Sequence, residues 1–523
     1  MTLLLTDQSG EALYLQIYRH LRGEITAGRI AAGTRLPSVR KLAADLALSR
    51  TPVELAYQQL IAEGYAKSRP RSGLYAQSLA HDQLVDVPAA SPRQNKAASA
   101  KQKERTAKYA VDHMDAAEAG FTGLPAAAVP GLAADNSPDG SVQPKPEYDF
   151  HYGSVDLAYF PFTQWSRLAA RCCRPENRGL LLYGQPQGEP GLRRQIAQYA
   201  HQARGVDCTP GQVIVGAGTH NSLEQLCQLL RDPYGPQIAL EAAVSDGVAM
   251  VVRQNGWRLQ PVPLDKDGLR IDALYESGAR VVYVTPSHQF PYGMIMPIAR
   301  RLQLLKWAED VDGMIIENDY DGEFRYEGRP IPALQGLDRS GRVAYLGTFS
   351  KAIAPAVRLS YLILPLPLAR KMDGCLHTFD QFASPLHQSM VEQFIAEGHF
   401  ERHIRKMRQH YRLKHAALIQ AVKAELGPQV QVIGDRSGLH IVLEFAFPQG
   451  EDAVHTERSL IAKALAAGVR VYPTSAYTLS GAKSPLPTIQ PRLLLGFGGL
   501  SIESIQHGIR SLGKAWELYS GPI

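Results

Sequence analysis

Lys351 sits in the loop Gly347-Thr348-Phe349-Ser350-Lys351-Ala352-Ile353-Ala354-Pro355-Ala356-Val357-Arg358-Leu359, with the strand-like apolar runs 343–346 and 361–364 on either side. An amine at the end of a buried strand has its charged form disfavoured, which lowers its pKa and makes it a nucleophile toward a carbonyl. Thr348, Ser350 and Arg358 supply what a phosphate needs: short hydroxyl bonds and a planar fork of donors. A lysine able to form a Schiff base beside a phosphate anchor is what pyridoxal 5′-phosphate asks of a protein. The same residues also fit an ordinary lysine in a serine-containing turn, so the surrounding elements must decide.

Those elements alternate. The apolar runs 213–215, 237–240, 281–284 and 314–316 are separated by helical patterns, which predicts an α/β body with a mostly parallel sheet. Ligands of such sheets bind at the carboxyl ends of the strands. After 213–215 comes Gly216-Ala217-Gly218-Thr219-His220-Asn221 and a helix containing Leu223, Leu226 and Leu230, a turn that aims free N–H groups at an anion. Thr285-Pro286-Ser287-His288-Gln289-Phe290-Pro291-Tyr292-Gly293 is a turn before a helix over 299–308. The run 314–316 ends in Glu317-Asn318-Asp319-Tyr320-Asp321. There an acid would keep a pyridine nitrogen protonated and a phenol would bond the ring's 3′-oxygen.

At 523 residues and 45% hydrophobic, the chain is too long for one core, so two or more domains are expected. Five cysteines, two of them adjacent (Cys172, Cys173), form neither a disulfide framework nor a metal-ligand spacing, which suits a reducing cytoplasm. The N-terminus does not resemble a signal peptide, and no apolar run approaches the ~20 residues of a membrane span. The net charge is +6, and residues 11–79 carry ten Lys/Arg against five Asp/Glu, a net +5. Charge concentrated in one-seventh of the chain points to a phosphate-rich partner there.

Within 11–79, Leu13, Ile17, Leu21 and Ile25 recur every four residues, predicting an amphipathic helix. Ser38 is placed to cap a second helix over 39–46. A turn at 48–52 offers Ser49 or Thr51 as the cap of a third, with Pro52 in its first turn. Two short helices on a tight turn, followed by a basic two-stranded wing over 65–75, read as a winged helix-turn-helix. G-x-R-L-P-S-x-R, then S-R-T-x-x-x-A-Y-x-x-L-x-x-E-G-Y, then a basic turn with S-G, resemble the DNA-binding domain of GntR-type bacterial repressors. The resemblance implies that Arg35, Ser38, Arg40, Ser49, Arg50, Thr51, Tyr57, Arg71 and Gly73 lie at double-stranded DNA. Residues 80–148 are rich in Ala, Pro, Ser, Lys and Gln, and read as a flexible tether. A basic stretch within it, 96–108, could touch DNA, but a solvated tether is the favoured reading. A tether this long lets protomers exchange a domain, or lets two heads reach separated half-sites.

In the body, 149–523, the glycine turn, H-Q-F-P-x-G, E-N-D-Y-D and S-K-x-x-x-P-x-x-R occur in that order and resemble the fold-type I aminotransferases. Phe160-Pro161, Tyr183-Gly184, Gly188-Glu189-Pro190-Gly191-Leu192-Arg193 and Pro491-Arg492-Leu493 agree. With the winged helix, the whole chain looks like a MocR/GabR-type regulator. The resemblance implies pyridoxal phosphate on Lys351, with Arg358, Thr348 or Ser350, Gly218, Thr219 and His220 at its phosphate. It further implies Tyr320 at the 3′-oxygen, Tyr183 reaching the partner protomer's cofactor in a homodimer, and Arg492 at the carboxylate of an amino-acid effector.

Three departures bear on activity. By spacing, Asn318 rather than Asp319 falls at the pyridine nitrogen; Asp319 could take that place only if the strand shifted by one residue. Phe290 replaces an asparagine of catalytic relatives, and 240–245 offers no aromatic residue to stack on the ring. The expectation is therefore a cytoplasmic, homodimeric regulator that senses an amine or amino acid, or pyridoxal phosphate itself, with weak transaminase activity. The alternative is a working aminotransferase with an accessory DNA-binding head.

Overall fold

The structure, a computed structural model, describes residues 13–26, 29–46, 48–62, 65–69, 73–77, 146–326, 332–375, 381–446, 453–479, 481–482, 486 and 490–517. Arg71 and the expected tether as far as residue 145, its basic stretch included, lie outside the described residues.

In the head, Leu13–Thr26 (α1) buries Ile17, Leu21 and Ile25 together with Tyr14 and Tyr18, the stripe that four-residue spacing requires. Ser38 caps Val39–Asp45 (α2), its hydroxyl accepting from the Lys41 amide at 3.2 Å; such a cap contributes about 1 kcal/mol. Arg50–Ala62 (α3) contributes Val53, Ala56 and Leu60 to the same core. Pro52 falls in its first turn, where a missing N–H is tolerated. Ala66–Arg69 (β1) and Gly73–Ala76 (β2) pair antiparallel as the wing, with Arg69 opposite Gly73.

The body is organised by a seven-stranded sheet, in the order Val213–Gly216, Ser360–Ile363, Val343–Thr348, Met314–Asp319, Val281–Val284, Gln237–Glu241 and Arg258–Val262. Six strands share one direction. Ser360–Ile363 runs against both neighbours, because the loop before it is too short for the crossover that a parallel strand needs. The edge strand Arg258–Val262 is half-exposed and contains Pro261, as an edge permits; it has no apolar run to mark it in the sequence.

Side chains alternate across a strand. Met314 and Ile316 join Tyr283, Leu346 and Ile214 in one core layer, and Ile315 joins Val282 and Val343 in the other. Asn318 and Asp319 therefore project to opposite faces of the sheet. A smaller antiparallel sheet follows, in the order Val430–Ile433, His440–Phe445, Arg492–Gly496, Tyr472–Pro473. Its Ile441, Leu443, Leu493 and Leu495 pack in the main core with Met407, Tyr411 and Leu418 of the helix His399–Glu425. Its Val442 and Leu494 face the aromatic residues Phe290, Tyr472 and Tyr477. Among the described residues, no helix is long and apolar enough to cross a membrane.

Candidate functional site

The carboxyl ends of the parallel strands deliver Gly218, Lys351, Tyr320 and His288 to one edge of the sheet. Lys351 is half-buried, and its ammonium donates to the carbonyl of Tyr152. Burial lowers its pKa to about 8, against the opposing pull of the Asp321 charge. The loop that carries it is closed on itself: Phe349 N–H reaches the Leu359 carbonyl at 3.0 Å, Ile353 N–H the Phe349 carbonyl at 2.8 Å, and Thr348 Oγ1 the Leu359 carbonyl at 3.3 Å. Arg358 ends that loop in the left-handed region, with φ of 49°.

Arg358 lies directly against Gly218. A Cβ added at Gly218 would stand 2.2 Å from its Nη2, so only glycine permits this approach. Gly218 has φ of 104° and precedes the helix Thr219–Tyr234, which no side chain caps; its own N–H donates to Ser360 Oγ at 3.1 Å. Partial enclosure, then the Arg358 charge, hold the His220 imidazole below its ordinary pKa. Thr348 Oγ1 and Ser350 Oγ are 3.0 Å apart in the adjoining loop. The anion-binding groups expected from sequence (Arg358, Thr348, Ser350, Gly218, Thr219, His220) thus gather at one end of the site, where a helix N-terminus adds its own partial positive charge.

The Asn318 amide donates to Tyr283 OH at 2.6 Å, and its Oδ1 is buried with no partner among the described residues. Asp319 is committed elsewhere. Its Oδ2 accepts from Arg204 Nε at 2.5 Å and Tyr345 OH at 2.7 Å, with both ions almost fully buried. Arg204 also donates to Ser287 Oγ at 2.8 Å and the Gly322 carbonyl at 3.2 Å. Asp319 is therefore the buried counter-ion of Arg204 through Oδ2, while its Oδ1, like Asn318 Oδ1, is buried with no partner among the described residues.

Two of the motifs meet here, joined by His440 and Tyr152, which belonged to none. His288 Nδ1 lies 2.9 Å from Asp321 Oδ2 and 3.1 Å from Tyr320 OH, and its ring centroid is 4.5 Å from that of His440. His440 Nε2 donates to the Pro291 carbonyl at 3.0 Å. Burial first, then His288 and Lys351, hold His440 well below its ordinary pKa. Tyr152 packs against Phe290, Tyr472 and Tyr477, and the Val244 N–H reaches the Tyr477 carbonyl at 3.0 Å. The stretch 240–245 thus has an aromatic residue beside it, brought from far along the chain, a placement only the fold reveals.

Arg492 is buried in the small sheet. Its Nε donates to Glu444 Oε2 at 2.6 Å, and its guanidinium lies 5.8 Å from the Tyr292 ring centre. Tyr183 is apart from the cluster. It is fully exposed, beside Leu181 and Leu182 at 72% and 71% exposure.

In the head, Arg35, Arg40, Ser49, Arg50, Thr51 and Gly73 are all exposed, as is the capping Ser38. Gly73 has φ of 112°, and a Cβ there would meet Arg35 Nε at 3.0 Å. Arg69 lies over the Tyr75 ring, 4.5 Å from its centre. Tyr57, also expected at DNA, is mostly covered in the head. It is 5% exposed and its hydroxyl donates to the Pro37 carbonyl at 2.7 Å, so it ties α3 to the start of α2 from inside. Arg35, Ser38, Tyr57 and Gly73 line one groove of about 340 Å3.

Comparison with known proteins matches the model of bacterial regulatory proteins of the gntR family to residues 13–75. The model of aminotransferase class I and II matches residues 152–495. The uncharacterised HTH-type transcriptional regulator YdeL of Bacillus subtilis (strain 168) is 40% identical, over 97% of both chains. The probable rhizopine catabolism regulatory protein MocR of Rhizobium meliloti is 33% identical, over 98% of this chain and 96% of its own. Among solved structures, LysN, an alpha-aminoadipate aminotransferase from Thermus thermophilus complexed with N-(5′-phosphopyridoxyl)-L-leucine, superposes with a TM-score of 0.62. It is 26% identical and covers 71% of this chain and 92% of its own.

Proposed function

This chain belongs to the MocR-type transcriptional regulators of the gntR family, and we propose that it holds pyridoxal 5′-phosphate on Lys351 as a sensing group for an amine or amino acid. One observation carries the reading. A lysine with its pKa brought to about 8 stands between an anion cradle, Gly218 against Arg358, and a buried amide oxygen with no partner among the described residues, Asn318 Oδ1. The residues fit the group: cation and helix N–H groups for its phosphate, an amine easier to deprotonate than an ordinary lysine for its aldehyde, an amide for its ring nitrogen.

When bound, pyridoxal phosphate supplies an electrophilic carbon that amines attack and an absorbance band that reports the attack. The chain's own residues do the rest. Lys351 Nζ would hold the group covalently. Arg358, Thr348, Ser350 and the start of the helix at Gly218, Thr219 and His220 would hold the phosphate. Tyr320 would donate to the 3′-oxygen. Asn318 would meet the ring nitrogen with an amide, which cannot balance a positive charge as a carboxylate does. That difference favours sensing over turnover. Arg492 would take an effector's carboxylate by exchanging it for Glu444. Tyr183, Leu181 and Leu182 would be covered by a second copy of the chain, with Tyr183 completing the partner's site in a homodimer.

The head supplies the output. Exposed Arg40, Arg50 and the wing would contact phosphates of an operator, and effector binding would shift the dimer between arrangements with different DNA affinity. The test is spectral: full-length protein with pyridoxal phosphate is reduced with borohydride and the labelled peptide sequenced, then candidate amines are added while DNA binding is followed. Label on Lys351 and amine-dependent DNA affinity are expected. No label there sinks the cofactor assignment; steady transamination at ~1–1000 per second would mark a working enzyme instead.

A further inference from the structure

The geometry points to His288 and Asp321 as a positioning dyad behind Tyr320, one that fixes the direction of the Tyr320 hydroxyl proton and so sets the pH at which the Lys351-held cofactor gains or loses its own proton. This inference rests on the seat proposed above for pyridoxal phosphate.

A carboxylate accepts and never donates. With Asp321 Oδ2 at 2.9 Å, His288 Nδ1 must carry the hydrogen. Tyr320 OH, 3.1 Å from the same nitrogen, then meets an N–H and can only accept from it. Its own proton is turned away from His288. Without the carboxylate, Nδ1 could lose its hydrogen and take the Tyr320 proton instead. The other imidazole nitrogen, Nε2, is buried with no partner among the described residues, so a second proton there would have no acceptor. The neutral imidazole with hydrogen on Nδ1 is the form that fits.

The surroundings are shaped to this pair. Gly438 has φ of +74°, and a Cβ on it would lie 2.0 Å from His288 Cε1 and 2.5 Å from Asp321 Oδ2. A Cβ on Gly293 would lie 3.1 Å from His288 Nε2. Titratable groups facing the dyad are His440, its ring tilted 38° at 4.5 Å between centroids, Tyr320, and Lys351 and Tyr326, which both feel the Asp321 charge. Those acting on Lys351 are Asp321, His440 and His151, and those acting on Tyr320 are Asp321, Tyr283, Glu241 and Tyr152.

The effect has a definite sign. A phenol donating to the cofactor's 3′-oxygen stabilises negative charge there and makes the neighbouring nitrogen easier to deprotonate. Freeing Tyr320 to point elsewhere removes that bond and raises the midpoint.

The experiment is a pH titration of the band near roughly 420 nm in full-length protein saturated with pyridoxal phosphate. His288→Leu should raise the midpoint by about one pH unit, the worth of one hydrogen bond to a charged group. His288→Asn, whose amide nitrogen stands where Nδ1 stood, should stay within a few tenths of the parent. Tyr320→Phe should rise as His288→Leu does, and the double variant no further. If His288→Leu does not fold, His288→Gln, which cannot place its nitrogen at the Nδ1 position, takes its part. A parental midpoint in the Leu or Gln variant overturns the proposal. So do additive shifts in the double variant, or an Asn variant that moves as far as Leu. Borohydride labelling of Lys351 accompanies each titration: its absence from the parent defeats the cofactor assignment itself, and an unmoved midpoint in labelled protein defeats only the dyad.

Discussion

Asp319→Asn distinguishes the two neighbours on the strand Met314–Asp319. It leaves Arg204 with Ser287 Oγ and the Gly322 carbonyl but strips it of the carboxylate at 2.5 Å. Removing one partner of a buried ion pair costs ~3–5 kcal/mol, because the other charge is left uncompensated. The lower end applies here. Glu323 is held up to about 7 by burial and then by the Asp319 charge; with that charge gone it ionises more readily and partly balances Arg204. The expected loss is therefore about 3 kcal/mol, with Lys351 still labelled by borohydride in the native protein. Asn318→Ala, one residue earlier, should cost only about 1 kcal/mol while changing the cofactor's spectrum. The assay is the urea midpoint of cofactor-free protein, compared between variants. Arg204→Met combined with Asp319→Leu should recover most of the loss, since no charge is then stranded. If Asp319→Asn is as stable as the parent while its cofactor spectrum changes, the strand presents Asp319 to the ring, and the division of labour argued here is wrong.

Glu323 itself offers a pH signature. Its folded pKa of about 7 lies above the ordinary 4.5, so its ionisation opposes folding as pH rises between those values; Glu323→Gln should match the parent near pH 4.5 and exceed it in stability above about 7, and a constant difference would count against the burial argument. Uptake of pyridoxal phosphate by cofactor-free protein should follow the neutral form of Lys351, rising about fivefold from pH 7 to 8 and levelling above about 9 for a pKa of about 8; stopped-flow absorbance would show a flat profile if the amine were not the controlling group. Leu182→Asp should weaken self-association in sedimentation, whereas an unchanged particle mass would remove the exposed patch at 181–183 from the interface. Arg50→Ala should weaken operator binding and lower the slope of log affinity against log salt by about one; an unaltered slope would place Arg50 off the DNA backbone.

Much of this was legible in the sequence because it depends on local order. The strands around Lys351, the cap at Ser38 and the glycine turn before Thr219 each carry their signal within a few residues. Asn318 stands out from sequence by its spacing to Lys351 and Tyr320, whereas the pairing of Asp319 with Arg204, 115 residues away, carries no local signal. What stayed hidden is assembled across long separations. His288 meets Asp321 and His440 from two different sheets, and Tyr477 arrives beside Val244 from just after the small-sheet strand Tyr472–Pro473; no spacing encodes either meeting. Tyr57 was placed by analogy to a motif, while its bond to Pro37 is a property of the folded head that no local pattern shows.

The closed loop from Phe349 to Leu359 has one more consequence. Its backbone bonds join both ends, and Lys351 and Arg358 ride on the same stitched segment, so neither can retreat while the other advances. Such a loop would behave as a fixed gauge. A vitamin form lacking its phosphate would touch one jaw only, and one with a longer arm would overshoot the second. Selection among those forms would then be made by the rigidity of a short piece of main chain rather than by the side chains of a pocket.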